Sequence, residues 1–300
     1  MSGIMRVLIT GAGGMLGTEA THFYRAAGHE VIPTSRKPVE GFVALDVTEP
    51  GAAQSVIREA KPDLILHCAA NTNVDGCERD PDAAYRGNAF ATWSVAVAAE
   101  SVGATLVSIS TDFVFDGELG RPYTEFDATN PLGHYGASKL AAERLALQHC
   151  RKTFVVRTSW LYGLHGKNFV TTIAGRAKTN PVLNVVADQH GTPTWTADLV
   201  GRLPGLVETG MYGIYHVNNA GATTWFDFAR AIVDRLGPDG VQVNPLTSEE
   251  CAVQFNTPTR RPKNSVMRRY SLELLGLDTM RPWEAALDAY IEEARLHGIL

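Results

Sequence analysis

Three hundred residues allow one large α/β domain or about two smaller ones. With 45% hydrophobic and 20% charged residues, the chain has a globular balance and is neither disordered nor collagen-like. A net charge of −5 leaves no basic field, which argues against nucleic acid or an anionic membrane as partner while allowing one anionic ligand held by local arginines.

The opening residues lack the charged, apolar and cleavage regions of a signal peptide and run straight into a strand, Arg6–Thr10 (RVLIT). A glycine turn and a helix over 16–27 follow. Next come strands at 29–34 and 42–45, the helix Ala52–Ala60 closed by Lys61-Pro62, and a buried strand at 63–68. A long alanine-rich helix over 82–102, a strand at 105–110, a helix at 135–149 and a strand at 153–157 complete the first half. Apolar strands alternating with helices predict an α/β fold with a doubly wound parallel sheet covered on both faces.

Beyond residue 160 the alternation breaks down. Strands are expected at Val182–Val186 and 213–217, and helices at 169–178, 197–208, Trp225–Leu236 and Trp283–Leu296. Pro- and Thr-rich loops separate them at 188–196 and 257–265. No 18-residue window is free of charge and apolar enough to span a membrane. Cysteines at 68, 77, 150 and 251 fit neither a zinc spacing nor a disulfide framework, so a cytoplasmic protein without a metal is expected. His67, His134 and His190 show no ligand spacing and read as structural.

The turn GAGGMLG follows the first strand and opens the first helix. Gly11 permits the tight turn. Gly14 lets a pyrophosphate approach the backbone at the helix N-terminus, and Gly17 allows close helix–strand packing. Strand, turn and helix in this order predict a dinucleotide site. An acidic residue after the second strand would bond a 2′-hydroxyl. The chain instead has Thr34-Ser35-Arg36-Lys37, and a hydroxyl with two cations suits a 2′-phosphate, so NADPH is expected, with NADH as the alternative. Asp46, after the third strand, is placed near the adenine.

Tyr135 and Lys139 stand at i and i+4, on one helix face. A free tyrosine titrates near about 10, and a nearby ammonium lowers that by favouring the phenolate. Ser110-Thr111-Asp112 supplies hydroxyls at the C-terminal end of a strand, where open α/β sheets bind ligands. Trp160 follows a predicted strand at the junction of the two halves, where an aromatic face can stack on a sugar or base, core packing being the alternative. Arg260-Arg261 lies in a Pro-rich loop, and paired arginines suit a diphosphate as well as solvent.

The chain resembles an extended short-chain dehydrogenase/reductase of the dTDP-4-dehydrorhamnose reductase family. The resemblance rests on GAGGMLG at 11–17, Asp46, Pro62-Asp63, AANTNVD at 69–75, STDFVF at 110–115 and NPLGHYGASK at 130–139. It continues through RTSWLY at 157–162, Asn168-Phe169, DQHGTPT at 188–194 and RPKNS at 261–265. It implies a Rossmann-type NAD(P)-binding domain over about 1–160. A smaller α/β lobe, mainly substrate-binding, would occupy 161–300, with room for some of its strands to return to the Rossmann sheet.

The matching residues imply a catalytic triad of Thr111, Tyr135 and Lys139. They imply a cofactor lined by Gly11, Gly14, Met15, Leu16, Gly17, Ser35, Arg36, Asp46, Val47, Ala69, Ala70 and Asn71, together with Tyr135 and Lys139. A nucleotide sugar would be touched by Thr111, Asp112, Trp160 and Arg261. The implied reaction is NAD(P)H-dependent reduction of the C4 ketone of a nucleotide-activated 6-deoxy-4-ketohexose, dTDP-4-dehydro-L-rhamnose above all, by a monomer or homodimer. Tyr135 would donate the proton, Lys139 would lower its pKa and hold the nicotinamide ribose, and Thr111 would hydrogen-bond the carbonyl oxygen. The alternatives are a catalytically silent regulatory subunit like that of methionine adenosyltransferase, or a nucleotide-sugar epimerase or dehydratase. The chain departs from the family pattern at Tyr85-Arg86-Gly87-Asn88, where Gly87 replaces an expected apolar residue and loosens the helix.

Overall fold

Strands that are apolar on both faces need cover on both faces, and here they pair in one parallel sheet. The computed structural model describes residues 3–255 and 259–300. Its first half runs β1 (Arg6–Thr10), α1 (Met15–Ala26), β2 (Glu30–Ser35), β3 (Val43–Ala44), α2 (Ala52–Ala60), β4 (Leu64–His67), α3 (Val74–Arg79), α4 (Pro81–Tyr85), a π turn (Arg86–Phe90), α5 (Ala91–Val102), β5 (Thr105–Thr111), α6 (His134–His149) and β6 (Thr153–Thr158). The second half runs β7 (Leu161–Tyr162), α7 (Phe169–Ala177), β8 (Val182–Val186), β9 (His190–Gly191), β10 (Thr194–Trp195), α8 (Thr196–Glu208), β11 (Gly213–His216), β12 (Thr223–Thr224), α9 (Trp225–Leu236), β13 (Gln242–Leu246), α10 (Ser248–Phe255), α11 (Tyr270–Leu274) and α12 (Trp283–Leu296).

Among the described residues the central sheet has seven strands in the order β11-β6-β5-β4-β1-β2-β3. The order reverses between β1 and β4, which opens a crevice at their carboxyl ends. One face is covered by α1 and α8, whose Leu16, Ala20, Leu199 and Leu203 are buried against Val7, Ile9 and Val156. The other is covered by α2 and α5 with part of α6: Ile57, Val95, Ala99 and Ala146 close over Leu8, Ile65 and Leu106. β11, read from sequence within the second half, pairs with β6 through Gly213 to Phe154 and Tyr215 to Val156. A separate core binds α7, α9 and α12 through Tyr162, Ile173, Phe228, Trp283 and Tyr290. No helix among the described residues is long and apolar enough to cross a membrane.

Two expectations change. The helix expected over 82–102 is interrupted by the π turn Arg86–Phe90. The cause is tertiary. Asn88, 1% exposed, accepts from Asn71 N (2.8 Å) and donates to Asn71 O (3.2 Å) and Ser138 Oγ (2.9 Å), which demands an extra residue in the turn. Gly87 leaves space there, since a Cβ on it would lie 3.2 Å from that of Asn71. The segment 188–196, expected as a loop, contributes the short strands β9 and β10. Of the loop expected over 257–265, residues 257 and 258 lie outside the described residues.

Behind the sheet's carboxyl edge, Glu143 on α6 forms a two-point ion pair with Arg157 on β6, Nε to Oε1 at 2.9 Å and Nη2 to Oε2 at 2.7 Å. Both side chains are 3% exposed. Ser110 Oγ donates to Glu143 Oε1 at 2.5 Å, and the guanidinium stands 5.1 Å from the centre of the Phe115 ring. Glu143→Ala should therefore strand a buried cation and cost about 3–5 kcal/mol. Replacing both partners with leucine and methionine should cost much less. Urea unfolding curves of the single and double variants measure the difference.

Candidate active site

The glycine turn is built by close approach. Gly11 has φ +65°, and a Cβ on it would lie 2.8 Å from the backbone of Ala69 at the end of β4. A Cβ on Gly17 would lie 2.3 Å from Gly11 O. Gly14 N closes the turn on Gly11 O at 2.9 Å, and Thr18 Oγ1 donates to Ala12 O at 2.9 Å. No side chain caps the start of α1, and Gly13 and Gly14 are exposed, so the first turn faces the crevice bare. Met15 and Leu16 follow in that turn, Ala69 lies against Gly11, and Ala70 and Asn71 continue from it half-buried.

Ser35 ends β2, with Arg36 and Lys37 exposed beyond it. Asp46 Oδ1 accepts from Thr48 N (2.9 Å) and Thr48 Oγ1 (2.7 Å), beside buried Val47. Partial burial works against the Asp46 carboxylate, but these bonds and the Arg36 charge hold it below the usual carboxylate range.

The start of α6 is equally tight. A Cβ on Gly136 would lie 2.2 Å from Phe113 O, so the glycine after Tyr135 lets the helix sit on the end of β5. Glu78 of α3 accepts from His134 N at 3.1 Å. Thr111 Oγ1 lies in hydrogen-bonding reach of Tyr135, donates to Asp112 Oδ1 at 3.0 Å and accepts from Phe113 N at 3.2 Å. Burial pushes the Tyr135 phenol well above its usual value, Asp112 adding to the rise and Thr111 opposing it. Lys139, one turn after Tyr135 on α6, is buried. Nζ donates to Ile109 O at 2.6 Å, and burial pushes the pKa down to about 8 against the opposing pull of Glu143 and Cys68. Beside it, His67 bridges Thr10 Oγ1 (2.7 Å) and Thr92 Oγ1 (3.1 Å) and is neutral, pushed down to about 3 by burial and the Lys139 charge.

Phe113, Trp160, Gln189, Trp225, Arg261, Pro262 and Ser265 line a cleft, and the Phe113 ring stands edge-on to that of Tyr135 at 5.5 Å. Trp160 has φ +47°, a strained setting for a bulky residue that often marks a functional site. Its indole stacks on Trp225 at 3.6 Å and 10°, and a Cβ on Gly191 would lie 2.4 Å from the ring. One face of the Trp160 ring is thus covered by Trp225, and the residue is half-buried. Arg261 Nη2 pairs with Asp75 Oδ2 at 3.2 Å, joining the first turn of α3 to the far wall of the cleft. Sequence reasoning missed Trp225, Phe113, Gln189 and the role of Ser265. The one local signal was the tryptophan after Thr223-Thr224 at a helix start.

Residues 5–296 match the sequence profile of a family described as the RmlD substrate binding domain. A dTDP-4-dehydrorhamnose reductase of Streptomyces griseus is 40% identical over 288 residues, covering 94% of this chain and 91% of that one. A dTDP-4-dehydrorhamnose reductase from Bacillus anthracis str. Ames, solved in complex with NADP, is similar with a TM-score of 0.90 at 40% identity, covering 97% of this chain and all of that one. A further dTDP-4-dehydrorhamnose reductase, from Clostridium acetobutylicum ATCC 824, has a TM-score of 0.90 at 42% identity over the same shares.

The buried ammonium has a measurable consequence. Lys139 titrates near 8 when folded, against 10.5 as its ordinary value. Between those limits the unfolded chain binds more protons, so this residue makes stability rise with pH over that window. Lys139→Met removes the contribution. The stability of Lys139→Met relative to wild type should be greatest below pH 8 and decline towards 10.5, as read by urea unfolding at several pH values.

Proposed function

The chain belongs to the RmlD substrate binding domain family, and from that premise we propose that it is a dTDP-4-dehydrorhamnose reductase, reducing the C4 ketone of dTDP-4-dehydro-L-rhamnose with NADPH. One observation carries the reading. Tyr135 and Thr111 stand within hydrogen-bonding reach at the carboxyl end of β5, the Lys139 ammonium is bonded to Ile109 O of the same strand, and a cleft lined by Phe113, Arg261 and two tryptophans lies beside them.

The crevice fits a dinucleotide. A side chain at Gly11 or Gly17 would collide with backbone, and the uncapped start of α1 offers N–H groups and the positive dipole end to a pyrophosphate. Met15, Leu16, Ala69, Ala70 and Asn71 would line it, and Asp46 with Val47 would meet the adenine. Ser35, Arg36 and Lys37, with no carboxylate among them, support a 2′-phosphate and hence NADPH over NADH. When bound, the nicotinamide supplies the hydride to C4. Residues 1–160 with β11 would hold the cofactor, and the rest of 161–300 mainly the sugar. A nucleotide-sugar substrate with a nicotinamide cofactor supports a cytoplasmic enzyme, acting as a monomer or homodimer.

The side chains divide the remaining work. Tyr135 keeps its proton at neutral pH and gives it to the oxygen that becomes the C4 hydroxyl. Thr111 stands beside Tyr135, with the Asp112 carboxylate taking its hydrogen and fixing the direction of its hydroxyl. Lys139 holds its place through Ile109 O and presents a positive charge to the ribose. Arg261 reaches the diphosphate by exchanging its bond to Asp75.

The test is oxidation of NADPH on adding dTDP-4-dehydro-L-rhamnose, with UDP- and GDP-linked 4-ketosugars as comparisons. Consumption with the dTDP sugar is the expected result, and none with any ketosugar overturns the reading. Tyr135→Phe should lower kcat roughly 10²–10⁴-fold and leave NADPH affinity nearly intact. Joint replacement Arg36→Ala and Lys37→Ala should weaken NADPH roughly tenfold and spare NADH, as read by fluorescence titration. Equal losses for both cofactors would remove the basic loop from phosphate recognition.

A further inference from the structure

Ser265 is 3% exposed and closes the loop that forms the far wall of the cleft. Backbone bonds fix its place. Ser265 N donates to His190 O (2.9 Å), His190 N to Lys263 O (2.7 Å) and Tyr123 N to Val266 O (2.8 Å). Its hydroxyl donates to Asp112 Oδ2 at 2.5 Å, and the other oxygen of that carboxylate accepts from Thr111 Oγ1 at 3.0 Å. Asp112 is 2% exposed and forms no salt bridge among the described residues. It is carried by the Ser265 and Thr111 hydroxyls and by its own and Phe113's backbone N–H groups, with Tyr135 facing it from α6. A threonine hydroxyl has one hydrogen, and here the carboxylate takes it. The direction of the Thr111 lone pairs beside Tyr135 therefore depends on a serine from the other end of the chain.

We propose that Ser265 is a positioning residue for the reduction: by holding the Asp112 carboxylate it fixes where the Thr111 hydroxyl points, so the loop that walls the substrate cleft also sets the group beside Tyr135. The proposal rests on the reductase reading above. It explains how a buried carboxylate without a cation stays in register. Burial pushes Asp112 up to about 6, and the Ser265 bond is the largest influence opposing that rise. Without the Ser265 hydroxyl, Oδ2 loses its donor, Asp112 binds a proton more tightly there, and the carboxyl is free to turn, so Oδ1 no longer holds the Thr111 hydrogen in one direction.

The experiment is a pH–rate profile of Ser265→Ala, Ser265→Thr and wild type with dTDP-4-dehydro-L-rhamnose and NADPH. Ser265→Ala should lower kcat roughly tenfold, leave KM for NADPH unchanged, and move the acid limb up by about one pH unit. Ser265→Thr, which keeps the hydroxyl, should restore both. A kcat within twofold of wild type with an unmoved limb overturns the proposal, whatever the melting temperature. So do equal losses in the alanine and threonine variants with an unmoved limb, which would mean packing alone. A wild type that reduces no ketosugar fails the reductase reading instead. Carboxyl ¹³C NMR, with Asp112 assigned by Asp112→Asn, then decides the serine's hold separately, since an unmoved Asp112 midpoint in Ser265→Ala overturns it without any turnover.

Discussion

The Glu143 carboxylate is shared by Ser110 at the end of β5 and Arg157 at the end of β6, so one side chain of α6 is tied to two neighbouring strands. A buried ion pair gains little net stability over apolar residues of the same size, yet it tolerates almost no displacement. That intolerance sets the height of α6 along the sheet. Lys139 is one turn towards the helix start and Tyr135 two, so both inherit their distance from the ends of β4 and β5. At the start of the helix, Gly136 lets the backbone sit against Phe113 O, and Glu78 holds His134 N. Moving α6 by half a turn would break the ion pair and bring a side chain onto that carbonyl.

The opposite wall of the site comes from residues far away in sequence. Arg261 reaches Asp75 and Ser265 reaches Asp112, bonds that join the end of the second half to loops of the first. Trp160 belongs to the same wall. A bulky residue at φ +47° costs on the order of 1–3 kcal/mol and needs surroundings that insist on it. Trp225 stacked on the ring and Gly191 pressed against it supply that insistence. The Trp160 part of the wall is therefore set by its own packing, which favours holding a sugar at one distance from Tyr135.

Local chemistry was legible in the sequence, and tertiary chemistry was not. β1, its glycine turn and α1 are consecutive, and each glycine has a steric reason visible from spacing, later matched by collisions at Gly11 and Gly17. The i, i+4 relation of Tyr135 and Lys139 is also local. The direction of the Lys139 ammonium is not, because it is decided by Ile109 O, a backbone group on another strand. The π turn escaped notice for the same reason. Gly87 was seen as a loosening of the helix, whereas its use becomes clear only when Asn88 is found bonded to Asn71 and Ser138. Nothing near residue 213 announces that β11 pairs with β6, from which β7, α7, β8, β9, β10 and α8 separate it along the chain. The stacking of Trp160 on Trp225 joins two segments with no common pattern.

Burial acts on three ionisable groups at the site, and their partners send them to different ends. Asp112 has hydroxyls and N–H groups, enough to keep a carboxylate that titrates near 6. Lys139 has a carbonyl oxygen at 2.6 Å and the Glu143 charge one turn away, enough to keep an ammonium up to about 8. Tyr135 has only the Thr111 hydroxyl against burial and the Asp112 charge, so its phenol stays protonated throughout. Between about 6 and 8 the site therefore holds a carboxylate, an ammonium and a neutral phenol together. That set suits a reduction, where the phenol must give a proton. Burial, with the Lys139 charge adding to it, keeps His67 neutral, and burial likewise holds the proton on Tyr135, Thr111 opposing it and Asp112 adding to it.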